Sequence, residues 1–320
     1  MALQTAPTHH IAHFDPQDLE VPSSYRDRSD GYRHVSLVSR AVGSVHISKG
    51  ICELSPGGHL SPHIHSFEEG FYVLDGTVRL TLADRSYELS AGHYGVVPVG
   101  VTHAWWGSGT QSARWLEICS PQHTVDGRPD TFFVESSVGQ QDRADVPDFR
   151  DPRTRWLGYW STNPGQVDDQ NLLGLTGGMD IQVGYGRTSG PGNGTYIKKL
   201  IDPALGAYLT QLIMCDFRGA MTLGGSEVED SWHDHCFEET FFLLEGEMDG
   251  LIAGERYHLV PGDCVWVGVG TPHHWTVTTE RCLWLEAQIP QPPIRHTYRF
   301  STPWKYLDQT VGDGRQAGAL

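Results

Sequence analysis

Two stretches decide the fold: HIHSFEEGFYVLDG, residues 63 to 76, and HDHCFEETFFLLEG, residues 233 to 246. Superimposed, they agree in His, His, Phe, Glu, Glu, Phe, Leu and Gly at a constant offset of 170, so the chain contains an internal repeat. The register holds through the following loop. Gly92, Val97, Gly100 and His103 fall on Gly262, Val267, Gly270 and His273 without a gap, and RWLEICSPQ (114–122) is echoed by LWLEAQIPQ (283–291).

The texture around both copies is β. Runs such as EGFYVLDG, TVRLTLADRSYEL and YGVVPVG are short, mix apolar with polar residues and end on Gly, Asp or Ser, and no segment of ten or more residues carries a helical apolar stripe. SVHISKGICEL (44–54) and AYLTQLIMCDF (207–217) read as strands entering each copy. The 37 glycines and 19 prolines are scattered as punctuation between these runs. An all-β fold of two barrels follows, with a length of 320 residues and 38% hydrophobic content sufficient for two cores. The division is expected near Asp151, giving residues 1–150 and 151–320. The Gly-rich stretch from Gly184 to Gly194 reads as a loop, since no P-loop lysine closes it.

Within a strand, residues two apart share a face, which puts His63 with His65 and His233 with His235. Glu69 and Glu239 follow at the same parity, and His103 and His273 return from another strand. Each half thus offers three imidazoles and one carboxylate, a donor set for one divalent transition metal ion: iron, manganese, nickel, copper or zinc. Four protein ligands leave a five- or six-coordinate ion open to substrate, as catalysis requires. Glu68 and Glu238 have the opposite parity and are expected to face outward. His59, His258 and His274 are expected to be surface groups or supports for the ligands.

The net charge of −16 and the absence of a basic run exclude a nucleic-acid surface. No stretch approaches the apolar length of a membrane helix, and the N-terminus has no secretory pattern, so a cytoplasmic location is expected. The six cysteines lack C-x-x-C spacing and are expected to be reduced and mostly buried, with Cys236 next to a ligand. A homodimer through edge strands is compatible with this architecture.

The first copy reads Gly57, five residues, His63-x-His65, three residues, Glu69, six residues, Gly76, then Gly92, five residues, Pro98-x-Gly100, two residues, His103. This resembles the two-part cupin signature, with Gly107 where Asn is usual. The second copy is similar from His233 to His273, with Gly268 in place of the Pro and Val277 in place of the Asn. The resemblance implies a bicupin of two jelly-roll-like barrels over roughly residues 40–122 and 200–291.

The aromatic residues near the two copies (Phe67, Phe71, Trp105 and Trp106; Phe237, Phe241, Trp266 and Trp275) favour a small aromatic or enol-bearing substrate. The chain in this respect resembles quercetinase-like and diketone-cleaving bicupin dioxygenases, with dioxygen as co-substrate and Glu69 or Glu239 as acceptor of the substrate proton. It is also similar to metal-dependent hydrolases of the ureidoglycine aminohydrolase type, and a non-catalytic binding bicupin is the third expectation. Oxalate decarboxylases keep two sites as well, but a small dianion calls for arginines at the metal, for which only Arg79 and Arg114 are candidates.

Overall fold

The computed structural model describes residues 7–122, 130–135, 144–149, 151–160, 194–218, 221–222, 233–291 and 298–300. The first half contributes β1 (His9–His13), β2 (Ser29–Val38), β3 (Ser48–His65), β4 (Glu68–Asp75), β5 (Thr77–Leu82), β6 (Arg85–Ser90), β7 (His93–Val97), β8 (His103–Gly107), β9 (Ala113–Ser120), β10 (Thr131–Phe133) and β11 (Leu157–Tyr159). The second contributes β12 (Gly194–Ile201), β13 (Gln211–Arg218), β14 (Met221–Thr222), β15 (His233–His235), β16 (Glu238–Glu245), β17 (Met248–Ile252), β18 (Glu255–Leu259), β19 (Asp263–Val267), β20 (His273–Val277), β21 (Arg281–Ile289) and β22 (Tyr298–Phe300). Of the Gly-rich stretch, only Gly194 is among the described residues, where it opens β12.

The first half curls one ten-stranded sheet into a barrel. Its 18-residue β3 joins the two faces, pairing with β9 over Ser48–Leu54 and with β8 from His59 to His63. The second half makes the same closure from two sheets, ordered β1-β19-β16-β21-β13-β12 and β18-β17-β20-β15-β22. Two strands cross the division expected near Asp151. β1 pairs antiparallel with β19 of the second barrel, and β11 pairs with β7 of the first. Gly76 and Gly246 occupy equivalent turns at φ +74° and +77°, and a Cβ there would strike the carbonyl oxygens of Ser112 and Arg281. Glycine is therefore required by both backbone and space.

Three apolar clusters explain why β4 and β16 read as nearly continuous hydrophobic runs. Phe71 and Val73 fill the first barrel with Trp105 and Trp115, and Phe241 and Leu243 fill the second with Trp275 and Trp284. The alternate residues, Tyr72 and Phe242, enter a third cluster with Ile51, Ile118, Leu212, Met214 and Leu285, drawn from both halves. Strands buried on both faces lose the usual alternation. Of the aromatic residues near the second copy, Trp266 belongs to this inter-barrel layer.

The same layer is what the outward-facing Glu68 and Glu238 meet. Each is only 2% exposed. Glu68 accepts hydrogen bonds from the backbone amides of Tyr208 (2.8 Å), Leu209 (3.3 Å) and Thr210 (2.9 Å) in the second half. Glu238 accepts from Val45 (2.7 Å), His46 (3.0 Å) and Ile47 (3.2 Å), and from Ser44 Oγ (2.7 Å), in the first. The face away from each barrel interior is the neighbouring barrel, and each half clasps a turn of the other through one carboxylate.

Candidate metal centres

All eight expected ligands lie where β3, β4 and β8, or β15, β16 and β20, come together. His63 stands opposite His103 in the β3–β8 register and His233 opposite His273 in β15–β20. Coordinating atoms of His63, His65 and His103 fall within 4.8 Å of one another, as do those of His233, His235, Glu239 and His273. In the first cluster Glu69 Oε2 is 3.1 Å from His65 Nε2 and 3.2 Å from His103 Nε2. In the second, Glu239 Oε2 is 2.9 Å from His235 Nε2 and 3.2 Å from His273 Nε2.

The opposite ring nitrogens establish what these contacts are. His63 Nδ1 lies 2.7 Å from Ser61 O and His103 Nδ1 lies 3.1 Å from Val101 O. His235 Nδ1 faces Phe237 O at 2.8 Å and His273 Nδ1 faces Thr271 O at 2.9 Å. A carbonyl oxygen only accepts, so each Nδ1 carries a proton and, in a neutral ring, each Nε2 presents a lone pair. Those lone pairs converge on one another and on a carboxylate. His103 Nε2 is buried and makes no hydrogen bond.

Such a convergence is relieved by protonating the rings or by a cation. Burial, reinforced by the neighbouring imidazoles, holds His63 well below the usual histidine range, and burial likewise lowers His65. Burial pushes Glu69 and Glu239 up, but the imidazoles of His103 and His65, and of His235 and His273, overcome it and hold both carboxyls well below the usual range. Three imidazoles around a buried carboxylate are a donor set that fits a divalent metal in each barrel.

Around the ligands, Phe67 stacks on His65 at 4.1 Å and Phe237 on His235 at 3.8 Å. Phe241 packs against both Trp275 (4.5 Å) and His273 (6.5 Å). Phe71 and Trp105 pack edge to face in the first barrel core. Trp106 points elsewhere, stacked on His59 and under the Arg79 guanidinium. His258 is exposed beside Asp249, and His274 is buried against Thr276. All six cysteines are free, and Cys236 alone among them is exposed.

Four contributors escape sequence reasoning because they lie far away in the chain. Thr131 Oγ1 meets His65 Nδ1 at 3.0 Å and Tyr25 Oη at 3.2 Å. Phe133 and Tyr25 pack against the His63 ring. Gln288 donates to Glu239 Oε1 at 2.9 Å. The spacing of the ligands signals none of them.

Comparison with known proteins agrees with this construction. The cupin domain model matches residues 50–119 and 219–287, which carry the two clusters. Quercetin 2,3-dioxygenase of Bacillus subtilis (strain 168) is 26% identical over 230 residues, 67% of this chain, and the match spans 64% of that enzyme, less than two thirds of its length. Among solved structures, a salicylate 1,2-dioxygenase from Pseudaminobacter salicylatoxidans superimposes with a TM-score of 0.63 at 16% identity, over 90% of this chain and 85% of the other. A putative glyoxylate induced protein from Pseudomonas aeruginosa gives 0.57 at 15% identity, over 93% of both chains. The chain carries two cupin domains in tandem, one built around each histidine cluster.

Proposed function

We propose that the protein is a metal-dependent dioxygenase acting on a small aromatic or enol-bearing molecule, with His63, His65, Glu69 and His103 holding one divalent transition metal ion and His233, His235, Glu239 and His273 a second. The observation that carries this reading is the convergence of Nε2 lone pairs whose Nδ1 protons are already committed to backbone carbonyls. The ion would supply a Lewis acid that favours ionisation of a substrate hydroxyl and orients it.

The chain's own groups supply the rest. The carbonyls of Ser61, Val101, Phe237 and Thr271 fix the ring orientations. The aromatic edges of Phe133 and Tyr25 beside His63 offer an apolar wall to a planar substrate and exclude water. Glu69 and Glu239 are positioned to take the hydroxyl proton on a carboxylate oxygen. Glu69, which lacks the amide that Gln288 gives Glu239, is the freer acceptor, and this favours the first barrel as the catalytic one. Both candidate arginines are engaged away from the clusters: Arg79 lies over Trp106, and Arg114 pairs with Glu53 and Asp75. That weakens an oxalate-type dianion as substrate.

Oxygen uptake by metal-reconstituted protein, screened against flavonols, catechols, salicylates and β-diketones, tests the proposal. Uptake that tracks substrate loss supports it. Turnover of any of these under strict anaerobiosis would make the protein a hydrolase or lyase.

A further inference from the structure

Below the His cluster of the first barrel lies a second group of metal-ligating side chains that the reaction proposed above does not use. Along β9 and its neighbours the inward rows are Glu69 opposite Cys119, then Phe71 opposite Glu117, then Val73 opposite Trp115. Across β3 the last row continues through Cys52, and across β2 it ends on His34. Ligand atoms of His34, Cys52 and Glu117 lie within 4.8 Å of one another. His34 Nε2 is 3.3 Å from Glu117 Oε2, and Cys52 Sγ is 3.3 Å from Tyr32 Oη.

Gly50, opposite Glu117, is what lets the imidazole in. A Cβ there would strike His34 Nε2. The second barrel conserves the acid and the thiol, with Cys215 Sγ 3.6 Å from Glu286 Oε2. It places Ile213 opposite Glu286, the register held by Gly50, and Ile197 opposite Cys215, the register held by His34. The imidazole and the space for it therefore occur together in the first barrel, and both are replaced by isoleucine in the second.

We propose that His34, Cys52 and Glu117 form a third cation site, specific to the first barrel, that takes a borderline transition-metal ion of the zinc or cobalt class through one thiolate, one imidazole and one carboxylate. Binding displaces the thiol proton to solvent and sets a 2+ ion against two negative ligands, leaving the buried group neutral. Tetrahedral zinc-type bonds place ligand atoms about 3.3–3.8 Å apart, so modest side-chain rotations close the observed spacing. The His34 and Glu117 side chains keep 18% and 17% of their surface exposed, which gives an ion its way in.

Cobalt(II) titration of the metal-free full-length protein tests the site, because only a thiolate ligand adds sulfur-to-cobalt charge transfer in the near ultraviolet. The two His/Glu centres contain no sulfur. The expected result is about three cobalt ions per chain and a charge-transfer band. Cys52→Ser and His34→Ala should each abolish the band and remove one ion, leaving the visible bands of the other two centres. Cys236→Ser, which alters the exposed thiol beside His235, should leave the near-ultraviolet band in place. Saturation without a charge-transfer band overturns the proposal, and so does a band that survives both Cys52→Ser and His34→Ala. Oxygen uptake can fail while the cobalt result holds, so the two proposals fall separately.

Discussion

The carboxylates of the two His clusters sit in different surroundings although their ligand sets match residue for residue. Glu239 is held from behind: Gln288 Nε2 donates to its Oε1 at 2.9 Å and to Glu286 Oε1 at 2.6 Å. Burial and the Glu239 charge push the Glu286 carboxyl well above its usual range. At the register of Gln288 the first barrel has Cys119, opposite Glu69, and burial pushes that thiol up as well. A thiol gives a carboxylate much less than an amide does. The duplicated clusters have kept the same three histidines and one glutamate and diverged in what holds the acid among them, which under the proposed function would suit one barrel to a firm hold on an ion and the other to proton traffic.

The largest expected effect breaks or sustains that asymmetry directly. His103→Ala and His273→Ala should each cost about one metal ion per chain, measured by elemental analysis after reconstitution. Turnover should fall by roughly 100-fold or more in His103→Ala, with a larger share of activity left in His273→Ala. Equal losses in the two variants would show that the barrels are functionally equivalent and that the contrast between Gln288 and Cys119 does not assign the chemistry.

A second expected effect concerns the feature in which the barrels are most alike. Removing either clasp carboxylate, by Glu68→Ala or Glu238→Ala, leaves three backbone amides of the other half without their acceptor, among them the buried amide of Thr210 or of Ile47. The cost should be on the order of 3 kcal/mol in each, read from denaturant unfolding of the metal-free protein. The Gln variants, which retain one acceptor oxygen, should cost less. A change below about 1 kcal/mol in both alanine variants would mean that the apolar layer between the barrels holds the halves together without the clasps.

The barrel pair and the gathering of the eight candidate ligands into two clusters were legible because their signals are local and repeated. HxH spacing, the glutamate four residues on and the glycine turns recur at one offset, and strand parity carries them to one interior. Parity also assigned Glu68 and Glu238 correctly to the opposite face, but it does not say what that face meets. Only the packing of two barrels reveals that Tyr208–Thr210 and Val45–Ile47 close over them. The layer that Trp266 joins is revealed in the same way, only by the packing of the two barrels. Thr131, Tyr25 and Gln288 come from strands or turns remote in sequence, where no spacing rule reaches. The pairing of β1 with β19 and of β11 with β7 is likewise a property of the assembled sheets, invisible in five- and three-residue strands read alone.

The smallest expected effect isolates the contrast between the carboxylates. Gln288→Leu removes the amide that holds Glu239 Oε1 and leaves Glu286 without its bridge, while every ligand remains in place. Affinity for the ion in the second barrel should fall by about 10-fold, the scale on which groups behind a ligand act. Cys119→Ala makes the matching change in the first barrel, where no amide is lost, and should alter affinity there less than about threefold. Competition with a chromophoric chelator measures both, using His103→Ala or His273→Ala backgrounds that also carry Cys52→Ser, so that each His cluster is titrated alone. If the two substitutions weaken their sites equally, the hydrogen bond from Gln288 contributes nothing specific and the barrels differ only in shape. If Gln288→Leu alone weakens its site, the held carboxylate of the second barrel and the freer one of the first become measured properties of metal binding.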